Sequence, residues 1–296
     1  VTTVPDEDEI EASRAPLMEH LVELRSRLII CAWAVAIGFG ICFAFSQNIY
    51  IFLLGPFQRA GQLYAVTKAA GANHGPFDLV LALLGLKTAP HAVIAPINLV
   101  FTAPLEFFFT KVKLAGFGAI VLVFPVLAWQ LYRFVAPGLY KRERNAFLPF
   151  LAASPILFFM GAALVYFVML PFVLWFSLNQ QILGAGAVTV QMMSKVSDYL
   201  DLVTTLLLAF GLCFQLPVIL ALLGMAGIVS SQLLASGRRY AVVAVFAIAA
   251  ILTPPDPFSM MSLAIPGVLL YEISIWCVWL IERRRKKDEE AAGIVS

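Results

Sequence analysis

Six apolar runs, with nearly all of the Lys and Arg held outside them, restrict this chain more than any other feature. They span Leu28–Phe45, Val112–Val135, Phe147–Leu178, Tyr199–Ala226, Tyr240–Leu252 and Phe258–Ile281. A helix crossing a hydrocarbon core of about 30 Å needs roughly 20 apolar residues. The first four runs meet that length, the first marginally. The fifth ends at "TPPDP" and reaches only about 20 Å, so it requires a thinned bilayer or shielding by other helices. The sixth is long enough but is interrupted by Pro266 and Glu272. Hydrophobic residues make up 61% of the 296 and charged residues only 13%, about half the charge of an average soluble domain. The expected fold is an all-α polytopic membrane protein of six transmembrane helices, kinked, in a curved arrangement with a short fifth helix. A single membrane domain occupies 1–296. It comprises a flexible acidic tail (1–16), the six-helix part (17–281) with an extended external loop (46–111), and a charged tail (282–296). The run "LVLALLGL" (79–86) is too short to span and is expected in that loop or at the interface. No cleavable signal peptide is expected, because the first run follows the acidic head "PDEDEIEASR" and no small-residue cleavage site comes after it.

The charge distribution orients the chain. Both termini and the even connections hold fourteen Lys and Arg, against six in the odd connections, which places both termini in the cytoplasm. Pro125, Pro149, Pro155, Pro171, Pro217 and Pro266 lie in the apolar runs. Each removes a backbone donor and bends its helix. Bent, unequal helices build a wall more readily than a straight bundle. No internal repeat is visible, which weighs against an inverted-repeat transporter.

Enzyme chemistry finds little support. His20, His74 and His91 all fall outside the apolar runs, and no HExxH, GxSxG or P-loop pattern occurs. Uphill transport would therefore draw on a gradient or another subunit. Cys31, Cys42, Cys213 and Cys277 lie inside apolar runs without metal-type spacing and read as buried thiols. No metal or cofactor is expected.

Four polar residues stand out. Gln215 interrupts "LAFGLCFQLPVILALL" just before Pro217. Its amide either bonds across helices or serves the carbonyl that Pro217 frees. Glu272 is an intramembrane acid, either functional or snorkelling toward the Arg283 cluster. "LMEHLVELRSRL" forms an amphipathic helix with Leu17, Leu21, Leu24 and Leu28 on one stripe and Glu23 on the opposite face. Glu23 can pair with Arg27 at i+4. Glu143 stands among Lys141, Arg142 and Arg144 in "APGLYKRERNAF". Each carboxylate has a local ion pair as its simplest reading. Together, two carboxylates at one membrane surface can also accept bidentate bonds from guanidinium groups, which Lys cannot reproduce.

Five stretches resemble the C subunit of the twin-arginine (Tat) protein translocase. They are "HLVELRSRL" (20–28), "FTAPLEFFFTKVKLA" (101–115), "PVLAWQLYRFVAPGLYKRER" (125–144), "FGLCFQLPV" (210–218) and "LTPPDPFSMMSLAIPGVLLYE" (252–272). They fall in the family's order and cover the chain apart from its tails and the loop 57–100. The resemblance implies a glove-like six-helix protein of the bacterial inner membrane with short fifth and sixth helices. Such a protein binds twin-arginine signal peptides and exports folded cargo with small single-helix A- and B-type partners, driven by the proton motive force. It implies signal-peptide recognition by Glu23 and Glu143, with Arg25, Phe134 and Pro137 beside them. It also implies external roles for Pro56 and Asp256, and a partner-facing or intramembrane role for Gln215, where relatives often carry Glu. The competing reading is a secondary transporter with a mid-membrane site at Gln215 and Gln130.

Overall fold

The structure is a computed structural model that describes residues 7–69, 100–101, 103–135, 144–181, 195–252 and 257–291. Its helices are α1 (Glu7–Ala44), α2 (Ser46–Leu53), α3 (Gly55–Ala69), α4 (Glu106–Val135), α5 (Arg144–Leu164) and α6 (Leu170–Asn179). They continue as α7 (Val196–Cys213), α8 (Leu216–Met225), α9 (Ser231–Ser236), α10 (Arg238–Leu252) and α11 (Pro257–Ala291). A single π turn, Val165–Met169, joins α5 to α6. Five stretches are long and apolar enough to cross a membrane: Leu21–Ala44, Glu106–Phe134, Ala152–Asn179, Val196–Met225 and Met260–Arg285. The sixth, α10, has 15 residues and covers about 22 Å, which is the short fifth segment of the sequence; the last span, Met260–Arg285, has 26 residues and is not short, because α11 runs on through Pro266.

Neighbouring helices run antiparallel, and pairs of contacting residues fix their register. Along α1 and α4, Arg27 meets Gln130, Gly38 faces Val123 and Ala119, and Cys42 faces Gly118. Along α5 and α7, Ser154 meets Gln215 and Phe158 meets Gly211. α11 packs on α8 through Val278 against Gly224, and on α10 through Gly267 against Val245. A glycine stands at each of these crossings. A Cβ at Gly38 would come within 2.7 Å of Val123, and one at Gly267 within 2.8 Å of Val245. Close backbone approach at small residues is how helices gain contact where lipid offers no hydrophobic drive.

The result is a file of helices in the order α1, α4, α5–α6, α7–α8, α11, α10, not a compact bundle. The apolar window of the first span is only 11% buried, against 56% for Val196–Met225. α1 is thus an edge of the wall and α7–α8 its middle. The main core joins α2, α3, the π turn, α6 and α7 around Leu53, Tyr166, Leu170, Tyr199 and Phe210. A second cluster stacks Phe124 of α4 on Phe158 of α5, with centroids 3.8 Å apart.

Prolines act at breaks as well as bends. Pro171 and Pro217 occupy the first turns of α6 and α8, so each break falls where a proline removes a backbone donor. Pro125 and Pro266 remain inside α4 and α11. The stretch expected as an external loop, 46–111, opens with two helices, α2 and α3. α3 folds against α6. "LVLALLGL" (79–86) lies outside the described residues.

Candidate functional site

At the end of the wall that carries Arg27, Arg133 and Arg283, the first turns of the α1 span place Glu23 toward α4. Arg27, one turn on, donates from Nε and Nη2 to Glu23 Oε1, the Nε contact being 3.1 Å. Its Nη1 also reaches Gln130 Oε1 on α4 at the long limit of 3.5 Å. Arg27 is 16% exposed and Glu23 36%. The guanidinium is therefore packed between two helices, while the carboxylate it holds still meets the surroundings. The i+4 pair read from the sequence is present, and its cation is anchored to a second helix. Arg25 points elsewhere, into a shallow groove with Leu21, Leu24, Leu28 and Ile29 on the outer face of α1. Phe134 lies half-buried at the same end of α4. Glu143 and Pro137 lie outside the described residues, as does Asp256.

Gln215 sits at the break between α7 and α8 and is 5% exposed. Its Oε1 accepts from Ser154 Oγ at 2.6 Å, and its Nε2 donates to the Ser154 carbonyl at 2.9 Å. Tyr132 of α4 also hydrogen-bonds the Ser154 side chain. A closed polar knot thus joins α4, α5 and α7 within the apolar interior. Of the two sequence readings, the interhelical one is observed. Gln130 faces α1 instead, so the two glutamines do not form one mid-membrane site.

Pro56 has an equally specific place. Lacking an N–H, it cannot supply Phe52 O with the donor that a continuous helix would give. Phe57 N donates to Leu54 O instead (3.1 Å), which leaves Leu53 O without its usual partner. Two tyrosines fill in: Tyr166 Oη donates to Phe52 O and Tyr199 Oη to Leu53 O, both at 2.6 Å. Tyr166 comes from the π turn, whose extra residue re-aims side chains. Its ring stacks on Phe52 at 4.5 Å. Gly55 is required beside it, because a Cβ there would collide with Tyr166 Oη.

Glu272 is a correction. Its partner is Arg238 at the start of α10, through Nε–Oε1 at 2.9 Å and Nη2–Oε2 at 3.0 Å, not the Arg283 cluster. The antiparallel register of α10 on α11 brings residue 238 to residue 272. Arg283 instead lies over the Trp279 ring. Further along α11, Glu282 accepts from Ser231 N (3.0 Å) and from Ser231 Oγ, which holds the start of α9. Sequence reasoning missed Ser154, Tyr132, Tyr166 and Tyr199. The available signal was chemical: a buried amide and the carbonyls beside a proline need donors, and hydroxyls inside apolar runs can supply them.

These features can be set against known proteins. Residues 19–266 match the family described as Sec-independent protein translocase protein (TatC). This chain belongs to the TatC family. It is 40% identical over 279 residues to a TatC protein of Magnetococcus marinus, covering 94% of this chain and 89% of that relative. It is 38% identical over 271 residues to one from Rickettsia prowazekii, covering 90% and 94%. The crystal structure of the twin-arginine translocase receptor TatC superposes with a TM-score of 0.66 at 33% identity, covering 89% of this chain and 99% of that one. TatC membership accounts for the all-α, lipid-facing wall with its short α10. The matched region encloses Glu23, Pro56, Phe134, Pro137, Glu143, Gln215 and Asp256.

Proposed function

We propose that this chain is the signal-peptide receptor and core subunit of a twin-arginine translocase, which passes folded proteins across a bacterial inner membrane at the expense of the proton motive force. The observation that carries the reading is the state of Glu23 within a chain-long TatC match. It is a carboxylate at the basic end, oriented by a guanidinium that is itself fixed to α4, and still more than one-third exposed. Its own partner demonstrates the chemistry, since Arg27 engages one carboxylate oxygen with two N–H groups. An arginine pair on a signal peptide offers the same fork twice, and Glu143 provides the second carboxylate. Phe134 and Pro137 border the bound peptide, and Arg25, on the outer face of α1, flanks the site from the far side of that helix. The basic end is cytoplasmic, and Pro56 and Asp256 belong to the opposite side.

Small single-helix subunits of the A and B types are the partners. Gln215 serves their docking through the α4–α5–α7 junction that it holds together, since its own amide is taken up by Ser154. No cofactor, metal or covalent step enters this role. The test is photocrosslinking from positions 26 and 145, beside the two carboxylates, to a peptide carrying consecutive arginines. Both positions should crosslink, and Glu23→Ala with Glu143→Ala should abolish the adduct while the protein stays folded in the membrane. Undiminished crosslinking by the double variant would overturn the receptor site.

A further inference from the structure

At the end of the wall away from Arg27, α2 and α4 enclose a cavity of about 340 Å³ lined by Gln47, Tyr50, Ile51, Phe107, Thr110, Lys111 and Leu114. Its level in the bilayer follows from the chain. α2 starts two residues after the first span ends at Ala44, and Lys111 lies in the second turn of α4. The cavity therefore stands where hydrocarbon gives way to headgroups.

Three of its polar groups, Lys111, the half-buried Tyr50 and the exposed Gln47, are unspent. Among the described residues Lys111 pairs with no carboxylate; its contact is the Phe107 ring, 4.6 Å from Nζ. Lys113, two residues on, is by contrast neutralised by Asp201 at 2.9 Å. Gln47 and Tyr50 make no side-chain hydrogen bond among the described residues, although Tyr50 is half-buried. Thr110 differs, since its hydroxyl already donates to Glu106 O at 2.7 Å. Burial pushes the Tyr50 phenol up, so it remains an O–H donor at neutral pH. At Gln215 and Tyr199, by contrast, buried donors are satisfied within the chain. Three donors, one of them cationic, converging on an open cavity call for an anion with several acceptor oxygens. The remaining lining is apolar and open to lipid, with Ile51 59% and Phe107 42% exposed.

We propose that this cavity binds the phosphodiester headgroup of an anionic phospholipid in the leaflet opposite the basic end. Lys111, Gln47 and Tyr50 donate to the phosphate oxygens. Ile51, Phe107 and Leu114 pack against the glycerol and the upper acyl chain. The site would lock α2 onto α4, and with it the Pro56 turn that follows. It depends on insertion in a bilayer and not on the receptor reading.

The experiment places a photoreactive residue at Ile51 in the full-length protein. The protein is reconstituted in phosphatidylcholine nanodiscs that carry a minor share of phosphatidylglycerol, and the lipid adducts are weighed by mass spectrometry. Phosphatidylglycerol should be captured well above its share of the bilayer. Lys111→Gln should lower that enrichment about fivefold, the effect of one basic residue at a membrane surface. Lys111→Arg should keep most of it, and Lys113→Gln should leave it unchanged. Adducts that follow the bulk lipid ratio in every variant would overturn the site. So would equal capture when diacylglycerol replaces phosphatidylglycerol, because the lining would then bind acyl chains without the phosphate. Loss of the adduct on adding inorganic phosphate would also overturn it, by identifying a free-anion site.

Discussion

Tyr199→Phe offers the sharpest test of how this wall is held together. It removes one oxygen and leaves the ring against Phe57, 5.2 Å away. Tyr199 is 4% exposed and Leu53 1%, and among the described residues no backbone donor replaces the hydroxyl at Leu53 O. Stranding a buried acceptor costs about 1–3 kcal/mol. Tyr166→Phe should cost less, about 1 kcal/mol, because a backbone N–H at the α2 cap also reaches Phe52 O. Pro56 is the reason both carbonyls need tyrosines, and this makes the prediction specific. In Pro56→Ala the helix can continue. Residue 56 then offers an N–H to Phe52 O, and Phe57 N can return to Leu53 O. Both tyrosine penalties should shrink in that background, giving a coupling of at least about 1 kcal/mol in a double-mutant cycle. The assay is unfolding of the purified protein in mixed micelles, followed by circular dichroism. Penalties that add to those of Pro56→Ala within about 0.5 kcal/mol would refute the account of Pro56 as the origin of the unfilled carbonyls.

Other outcomes follow from the same geometry. Gln215→Leu removes both bonds to Ser154 in the buried junction and should cost about 1–3 kcal/mol; an unchanged unfolding midpoint would contradict this. Gly161→Ala would bring a Cβ within 2.8 Å of the Phe210 carbonyl, a backbone atom that cannot rotate away. It should cost about 1–3 kcal/mol in the same unfolding assay, and an unchanged midpoint would refute the close α5–α7 approach. Glu23→Gln should change stability by less than about 1 kcal/mol, since the pair with Arg27 is partly exposed, yet should impair signal-peptide binding. A large drop in melting temperature would make Glu23 structural instead.

Much of the architecture was legible because lipid imposes simple rules on sequence. Run lengths marked the spans, and the shortness of Tyr240–Leu252 anticipated the 15-residue α10. Gln215 was visible as the one amide in the run Tyr199–Ala226, and the Glu23–Arg27 pair follows from i+4 spacing alone. What escaped were relations set by register between distant segments. Ser154 is an unremarkable serine until α5 and α7 are laid antiparallel, when its hydroxyl and its carbonyl both bond the Gln215 amide. Tyr166 and Tyr199 lie 114 and 146 residues from the carbonyls they serve, and the π turn that aims Tyr166 has no local sequence signature. Glu272 drew attention to the nearest cations in sequence. Packing of Gly267 on Val245 instead slides α10 so that Arg238 meets it. α2 and α3 hid in a loop because α2 has only 8 residues and α3, though 15 residues long, mixes polar and apolar residues without a clear apolar run.

The central claim is that carboxylates at the basic end read guanidinium forks. Titration of the purified protein with signal peptides carrying Arg-Arg, Lys-Arg, Arg-Lys or Lys-Lys tests it most directly, in wild type and in Glu23→Gln, Glu143→Gln and their combination. Wild type should prefer Arg-Arg over Lys-Lys by about 100-fold, roughly tenfold for each charge-assisted fork replaced by a single point contact. Each single variant should lose about half of that preference on a logarithmic scale, and the double variant should bind all four peptides alike. A double variant that still ranks Arg-Arg above Lys-Lys by the wild-type ratio would show that arginine is read elsewhere.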